Sequence, residues 1–311
     1  MDCSKLAERL ERAGIPFERE VPLSGLTTFR IGGPCRVLAR PRTGEEAGFV
    51  LETARDAGIP LEILGKGSNL LADDEGFDGV ILLTEGLEQL TVSPCEAEPG
   101  LFLLESGAGV SLSKLCSTAL AQSLTGLEFA WGIPGSTGGA VYMNAGAYGG
   151  EIRDVLCDCA FLEEDGRFCR LPAERLALSY RRSLFTGSKR LILSARFALR
   201  KGEPGDIRAQ MDDYISRRKA KQPLEYPSAG STFKRPEGNY AGALIEQCGL
   251  RGYAVGGAQV SEKHCGFLIN RGGATCREML ELIRQVQSVV LEKTGYDLEC
   301  EVRRLSSAGL E

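Results

Sequence analysis

Apolar positions along the chain repeat with two spacings, and the spacing marks the element. Residues 3–13 mix charged and apolar positions with a helical period and predict a short amphipathic helix ended by Gly14. Thr43 stands where a helix N-cap would, with Glu46 at the capping-box position, and opens a predicted helix that stops near Gly58. Leu61–Leu64 predicts a short strand, and Val80–Leu83 is an unbroken apolar run of strand length. This strand–helix–strand alternation predicts a small α/β unit over about residues 20–85.

Residues 86–200 follow another rhythm. Turn signals at Gly86, Pro99-Gly100 and Asp165-Gly166 separate short strands predicted at Leu101–Glu105, Val155–Glu163, Phe168–Arg170 and Leu191–Leu199. Strands with few helices between them predict an α+β fold, not a doubly wound parallel sheet. From Gly205 to about Lys221 the pattern turns helical, with Ile207, Met211, Tyr214 and Ile215 at helical spacing. A turn-rich loop follows over Gln222–Pro236, and Gln247–Gly257 and Gly272–Gly273 carry further turn glycines. Arg277–Thr294 predicts a helix with Met279, Leu280, Ile283, Val286, Val290 and Leu291 on one face. Leu298–Leu305 predicts a half-buried closing strand. Breaks near Gly86 and Lys201–Gly205 divide the chain into segments 1–85, 86–201 and 202–311.

Composition narrows the function. No apolar run approaches the roughly 20 residues of a membrane helix, and the charged first twenty residues lack a signal-peptide core, so a cytoplasmic protein is expected. The net charge of −5, with both signs mixed and no basic tract, argues against nucleic acid. An anionic ligand must then be held by local groups and backbone dipoles. Eleven cysteines, an odd number without a C-x-x-C pair, read mostly as small buried hydrophobes. His264 is the only histidine, which rules out His-rich zinc sites and leaves a Ser-His arrangement only through His264 itself.

The densest chemical signal is Gly132-Ile-Pro-Gly-Ser-Thr-Gly-Gly-Ala-Val-Tyr-Met-Asn-Ala-Gly-Ala-Tyr-Gly-Gly150. Glycines let the backbone approach a phosphate, and successive N–H groups can converge on its oxygens. Ser136, Thr137 and Asn144 are expected to add side-chain donors, and a helix beginning near Gly138 would add a positive dipole. The same glycines also fit a tight structural turn. Gly65-Lys-Gly-Ser-Asn69, after a strand, is a second such loop, and two of them suggest a ligand with a pyrophosphate, such as a dinucleotide. Glu105-Ser-Gly-Ala-Gly-Val-Ser-Leu112 imitates a Rossmann fingerprint, but Leu112 stands where the third glycine belongs, so a strand-to-helix turn is expected. In Tyr226-Pro-Ser-Ala-Gly-Ser-Thr-Phe-Lys-Arg-Pro236, Ser231 near Lys234 and Arg235 fits either a turn serine or a proton donor at an anionic substrate. Ser179-Tyr-Arg-Arg-Ser183 and Glu301 read, on their own, as solvated charge before they read as site residues.

In order along the chain, Thr27–Gly33, Gly65-Lys-Gly-Ser-Asn-Leu-Leu71, Gly132–Gly150, Ser179-Tyr-Arg181, Gln222–Ser231, Gly256-Gly-Ala-Gln-Val-Ser261, Asn270-Arg-Gly-Gly273 and Leu298-Glu-Cys-Glu-Val-Arg303 resemble the UDP-N-acetylenolpyruvoylglucosamine reductase (MurB) family. Only about the first twenty residues and the last few lie outside the resemblance. The short stretch from Arg181 to Ser231, without an inserted tyrosine-bearing loop, resembles the family's shorter type II branch. One departure is Arg235, where the family usually has asparagine.

The resemblance implies a vanillyl-alcohol-oxidase (PCMH-type) FAD domain of two subdomains, 1–85 and 86–201, and a C-terminal α+β substrate domain, 202–311. It implies non-covalent FAD, NADPH as co-substrate, a UDP-sugar substrate and a monomer, with no metal. The flavin contacts it implies are Gly65, Gly67, Ser68, Asn69 and Leu70 in one loop. In the other they are Gly132, Ile133, Pro134, Gly135, Ser136, Gly138, Gly139, Asn144, Gly146 and Ala147. Arg181, Ser231 and Glu301 match the catalytic residues, and Tyr180, Lys234 and Arg235 fall at substrate positions. By that resemblance Arg181 stabilises developing charge, Ser231 delivers a proton and Glu301 assists. A flavin oxidase acting on an alcohol shares the fold class, and a non-catalytic nucleotide-binding module is a third reading. The constellation of Ser179–Arg181, Ser231 and Glu301 argues against both.

Overall fold

A computed structural model describes residues 3–311. Contacts gather the chain into two compact units, each discontinuous in sequence. The first holds residues up to Glu18, Val37–Lys66 and Val80–Arg218, and the second holds Arg19–Arg36, Gly67–Gly79 and Lys219–Glu311.

In the first unit, helix α1 (Ser4–Arg12) ends before Gly14 at φ 69, as its sequence predicts. Helix α2 (Gly44–Asp56) is capped by Thr43, whose side chain accepts from the Glu46 N–H, a cap worth about 1 kcal/mol. The expected reciprocal bond goes elsewhere: the Glu46 carboxylate accepts from the Arg42 N–H at 2.7 Å, one residue earlier than a capping box requires. Leu6, Leu10, Val50, Leu51 and Ala54 on these helices pack with Val37, Val80 and Leu82 into one apolar cluster. The strand Leu61–Leu64 is the edge of a four-stranded sheet ordered Phe17–Pro22, Pro34–Ala39, Phe77–Leu83, Leu61–Leu64. It runs parallel to its neighbour, with Leu64 opposite Leu83.

The rest of the first unit is built on a six-stranded antiparallel sheet. Its order is Phe168–Pro172, Leu156–Leu162, Leu191–Lys201, Leu101–Gly107, Leu90–Pro94, with Leu124–Thr125 beside the end of the long strand. Along that strand Ala195, Phe197 and Leu199 are buried at alternate positions, as a one-sided sheet requires. They pack in a core with Leu112 and Leu115 of α3 (Leu112–Ala121), Ala140 and Val141 of α4 (Thr137–Tyr142), and Ile207 and Met211 of α5 (Pro204–Lys221). The α+β reading holds.

The second unit is built around α6 (Ala241–Gln247) and α7 (Cys276–Thr294). Helix α7 opens on a true capping box between Thr275 and Glu278 and ends at Gly295, which takes φ 76 as a left-handed cap. Met279, Leu282, Ile283, Val286 and Val290 bury against Phe29, Ile31 and Leu71. Leu291, expected on that face, is 49% exposed: it lies one residue, about 100°, beyond Val290 and points off the stripe.

A three-stranded antiparallel sheet joins Ala254–Val255, Ala258–Val260 and Leu268–Asn270. The predicted closing strand is shorter than expected. Only Arg303–Ser306 forms a regular strand, parallel to Leu70–Ala72 and antiparallel to Gly309–Leu310, whereas Cys300 makes a single bridge to Phe233. Residues 298–302 bond to a loop in place of a strand, so no ladder can form there.

Candidate functional site

The first unit brings three glycine-bearing turns together. The strand Leu61–Leu64 delivers Gly65, where an added Cβ would lie 2.5 Å from Ser136 Oγ. Ser136 is buried and caps α4 by accepting from the Gly139 N–H. The Gly107–Ser111 turn, once tempting as a dinucleotide fingerprint, clamps the same segment. Thr137 N–H donates to the Val110 carbonyl at 2.8 Å, Gly138 N–H to that of Ala108 at 2.9 Å, and Leu112 N–H to that of Gly135 at 3.0 Å. The Thr137 hydroxyl, fully buried, pairs with Ser106 Oγ at 2.8 Å. Only glycine allows the closest approach here, since a Cβ on Gly138 would sit 2.9 Å from that of Ala108.

The N–H groups of Thr137, Gly138 and Gly139 are donated to groups of the chain, so the first turn of α4 does not present them to a ligand. Asn144 is likewise engaged. Its amide donates to Glu151 Oε2 at 2.9 Å and to the Ser179 carbonyl at 3.1 Å, and its Oδ1 accepts from the Arg153 N–H at 3.0 Å.

Gly132, at φ 82, lies under Ile215 and Arg218 of α5. Gly146-Ala147 and Gly150-Glu151 form a small hairpin. At its tip Tyr148 stacks on Tyr214 with ring centroids 4.4 Å apart. Burial pushes the Arg218 guanidinium down from its usual range, and Tyr148 opposes that shift. Sequence reasoning reads Tyr214 only as a helical position and singles out neither Tyr148 nor Arg218, because their association depends on how α5 packs.

Arg181 sits at the tip of a two-residue turn. Ser179 N–H donates to the Arg182 carbonyl at 3.0 Å, and Arg182 N–H returns to the Ser179 carbonyl at 3.1 Å. Arg181 itself takes φ 55, and its guanidinium carbon lies 5.2 Å from the centroid of the exposed Tyr180 ring.

The second unit carries the rest. Gly67, at φ 58, could bear no side chain, because a Cβ would lie 2.1 Å from the Leu26 carbonyl oxygen. Its own carbonyl accepts from the Thr28 N–H at 3.1 Å. Two residues on, Asn69 donates through its side chain to the Glu301 carbonyl at 3.1 Å, and Leu70 pairs with Arg303. Glu301 N–H donates to the Thr232 carbonyl at 2.8 Å, and Lys234 N–H to the Glu299 carbonyl at 2.8 Å.

The loop around Gly67–Asn69, the half-buried Glu301 and the exposed Ser231 therefore lie on three neighbouring segments of the second unit. Thr232, fully buried, anchors the exposed serine from behind: its N–H donates to the Gly266 carbonyl and its hydroxyl accepts from the Leu268 N–H. Lys234 pairs with Glu299, and the Arg235 guanidinium lies 4.4 Å over the Tyr240 ring.

Comparison with known proteins matches two families along the chain. A family model described as FAD binding domain matches residues 35–172, which include both glycine loops. One described as UDP-N-acetylenolpyruvoylglucosamine reductase, C-terminal domain, matches residues 222–305, which include Ser231 and Glu301. The chain is 50% identical to a UDP-N-acetylenolpyruvoylglucosamine reductase of Lachnoclostridium phytofermentans, over 91% of this chain and 90% of that one. It is 45% identical to that of Agathobacter rectalis, over 96% of each. The crystal structure of the reductase from Thermus caldophilus superimposes with a TM-score of 0.77 at 34% identity, covering 93% of this chain and 99% of that one.

The residues present fit a flavin dinucleotide on structural grounds. Gly65 and the Ser136 segment converge so closely that a side chain on residue 65 would collide, and a glycine at such a turn carries no side chain to screen its backbone from a phosphate.

Proposed function

The chain belongs to the UDP-N-acetylenolpyruvoylglucosamine reductase family, and from that membership we propose that it is the FAD-dependent enzyme reducing UDP-N-acetylenolpyruvoylglucosamine to UDP-N-acetylmuramate. NADPH is the reductant, and the product feeds peptidoglycan synthesis. Bound flavin would supply hydride to the vinyl carbon distal to the ether oxygen.

The chain's own residues do the rest. The planar guanidinium of Arg181 pairs with the substrate carboxylate and stabilises the negative charge that develops beside it as an enolate. The Ser231 hydroxyl donates a proton to the carbon bearing that carboxylate, so that hydride and proton together saturate the double bond. Glu301 assists at the same end of the substrate. Tyr180, Lys234 and Arg235 contact the UDP-sugar, where a guanidinium at position 235 suits a phosphate.

The flavin is held without covalent attachment, since no histidine stands in Gly132–Gly150 to carry such a link, and chiefly by the loops Gly65–Leu70 and Gly132–Ala147. Within this reading residues 1–85 and 86–201 serve flavin binding and 202–311 substrate binding. The protein acts as a cytoplasmic monomer; among the described residues no helix is long and apolar enough to cross a membrane.

The observation that carries the reading is the pair of backbone hydrogen bonds in the second unit, Glu301 N–H to the Thr232 carbonyl and Lys234 N–H to that of Glu299, that sets Ser231-Thr232 beside Glu301. A proton donor and a carboxylate on adjacent segments suit addition across an activated double bond. The test is an anaerobic absorbance spectrum of the flavin-loaded protein. NADPH should bleach it and the enolpyruvyl substrate should restore it. Flavin that NADPH does not bleach, or that only oxygen restores, would refute the assignment.

A further inference from the structure

We propose that Asn144 is a positioning residue for Arg181, acting through the Ser179 carbonyl. The inference rests on the reading of Arg181 given above. Helix α4 is only six residues long, yet its two ends meet different parts of the first unit. Its N-cap, Ser136, faces Gly65. Its far end grips both flanks of the Arg181 turn: Asn144 donates to the Ser179 carbonyl at 3.1 Å, and Ser183 Oγ donates to the Tyr142 carbonyl at 2.7 Å. Between those grips Arg181 adopts φ 55. A non-glycine residue persists in the left-handed region when its surroundings over-determine it.

The chemistry at Asn144 is specific to an amide. The side chain is 1% exposed. One of its N–H groups goes to the Glu151 carboxylate and the other to Ser179, while its oxygen accepts from Arg153. A primary amide has two protons to give, and both are spent inside the chain, so this side chain does not hold the flavin. An aspartate of the same shape would present only acceptors to the Glu151 carboxylate and the Ser179 carbonyl. The backbone of Asn144, at φ 41, also lies in the left-handed region that asparagine and glycine tolerate. Glycine therefore removes the link and leaves the backbone at ease, and aspartate keeps the shape and reverses the polarity.

Flavin-loaded Asn144→Gly, Asn144→Asp and Arg181→Lys, and the double variant Asn144→Gly with Arg181→Lys, are compared by anaerobic stopped-flow, together with the Kd for FAD. In both Asn144 variants the flavin-loaded fraction should still be reduced by NADPH within about threefold of the wild-type rate. Reoxidation by the enolpyruvyl substrate should slow by roughly ten- to a hundredfold, the scale of misplacing a reacting group by about 1 Å. Adding Arg181→Lys to Asn144→Gly should cost much less than in wild type, because coupled positions are not additive.

If Asn144→Gly does not fold, Asn144→Asp carries the same expectation. Weakened FAD binding with normal reoxidation of the loaded fraction would make Asn144 a cofactor contact and overturn the proposal. So would fully additive losses. Normal reoxidation in both Asn144 variants, with Arg181→Lys still impaired, would overturn it while leaving Arg181 in place. Normal reoxidation in Arg181→Lys would instead remove Arg181 from the chemistry, and the proposal with it.

Discussion

The side-chain amide of Asn69 donates to the carbonyl of Glu301 at 3.1 Å, and the Arg303 N–H returns to the Asn69 carbonyl at 3.1 Å. A residue of a glycine loop thus fixes the backbone that carries a candidate catalytic carboxylate. Asn69→Ala leaves a partly buried carbonyl without this donor, which typically costs about 1–2 kcal/mol. Urea denaturation should show a lower midpoint with an unchanged slope. An unshifted midpoint would mean that this bond contributes nothing.

Gly65→Ala tests the convergence of the two glycine loops. The added methyl would lie 2.5 Å from Ser136 Oγ, a separation that forces the N-cap of α4 or the loop itself to move. The variant should lose FAD, measured as the flavin absorbance retained per protein after gel filtration. The apoprotein should keep its far-ultraviolet circular dichroism. Full flavin content would show that these loops do not share the ligand.

What was legible in the sequence was local. Helix α1, helix α7 and the long strand at Leu191 follow from periodicity and caps alone, since their burial repeats over many residues. Helix α6 escaped notice because seven residues, one of them Gly242, give too short a period to read. The closing strand was overextended, because its true partner at Leu70–Ala72 is some 230 residues away and starts only at Arg303. At the site, the residue types at Arg181, Ser231 and Glu301 were readable by resemblance. That Asn144 and Thr137 spend their hydrogen bonds inside the chain was not, since their partners Ser179 and Ser106 are remote in sequence.

Asp158 predicts an acid-sensitive step in stability. Its side chain is only 7% exposed, and Arg196 and Arg170 both bond to it. Burial alone would raise its carboxyl, but the two guanidinium groups outweigh that and hold it below the usual carboxylate range. A lowered native value stabilises the fold fully above the ordinary carboxylate value of about 3.9, and the contribution fades as pH falls through the native value. Asp158→Asn should therefore destabilise the protein at neutral pH and flatten the acid limb of a stability–pH profile. The loss should be about 1–3 kcal/mol, less than for a fully buried pair, because both guanidinium groups are about one-third exposed. Parallel profiles for variant and wild type would contradict this.

The thiols should be spectators. Burial, with Glu128 adding to it, pushes Cys116 up to about 12, and burial pushes Cys300 up to about 11. Since the thiolate is the nucleophile, a thiol pushed up in this way is little reactive near neutral pH. Iodoacetamide under native conditions should leave most turnover intact. Stoichiometric inactivation at Cys265 or Cys300, prevented by substrate, would place a cysteine in the site.

The most direct test of the proposed chemistry is anaerobic stopped-flow on Ser231→Ala, following flavin absorbance in each half of the reaction. Reduction by NADPH moves no proton to carbon, so bleaching should proceed at nearly the wild-type rate. Reoxidation by UDP-N-acetylenolpyruvoylglucosamine needs a proton at the carbon beside the carboxylate, and general acid catalysis is worth roughly 10²–10⁴ in rate. The account predicts reoxidation slowed by about a hundredfold or more, with bleaching preserved. Reoxidation at the wild-type rate would show that Ser231 is not the proton donor.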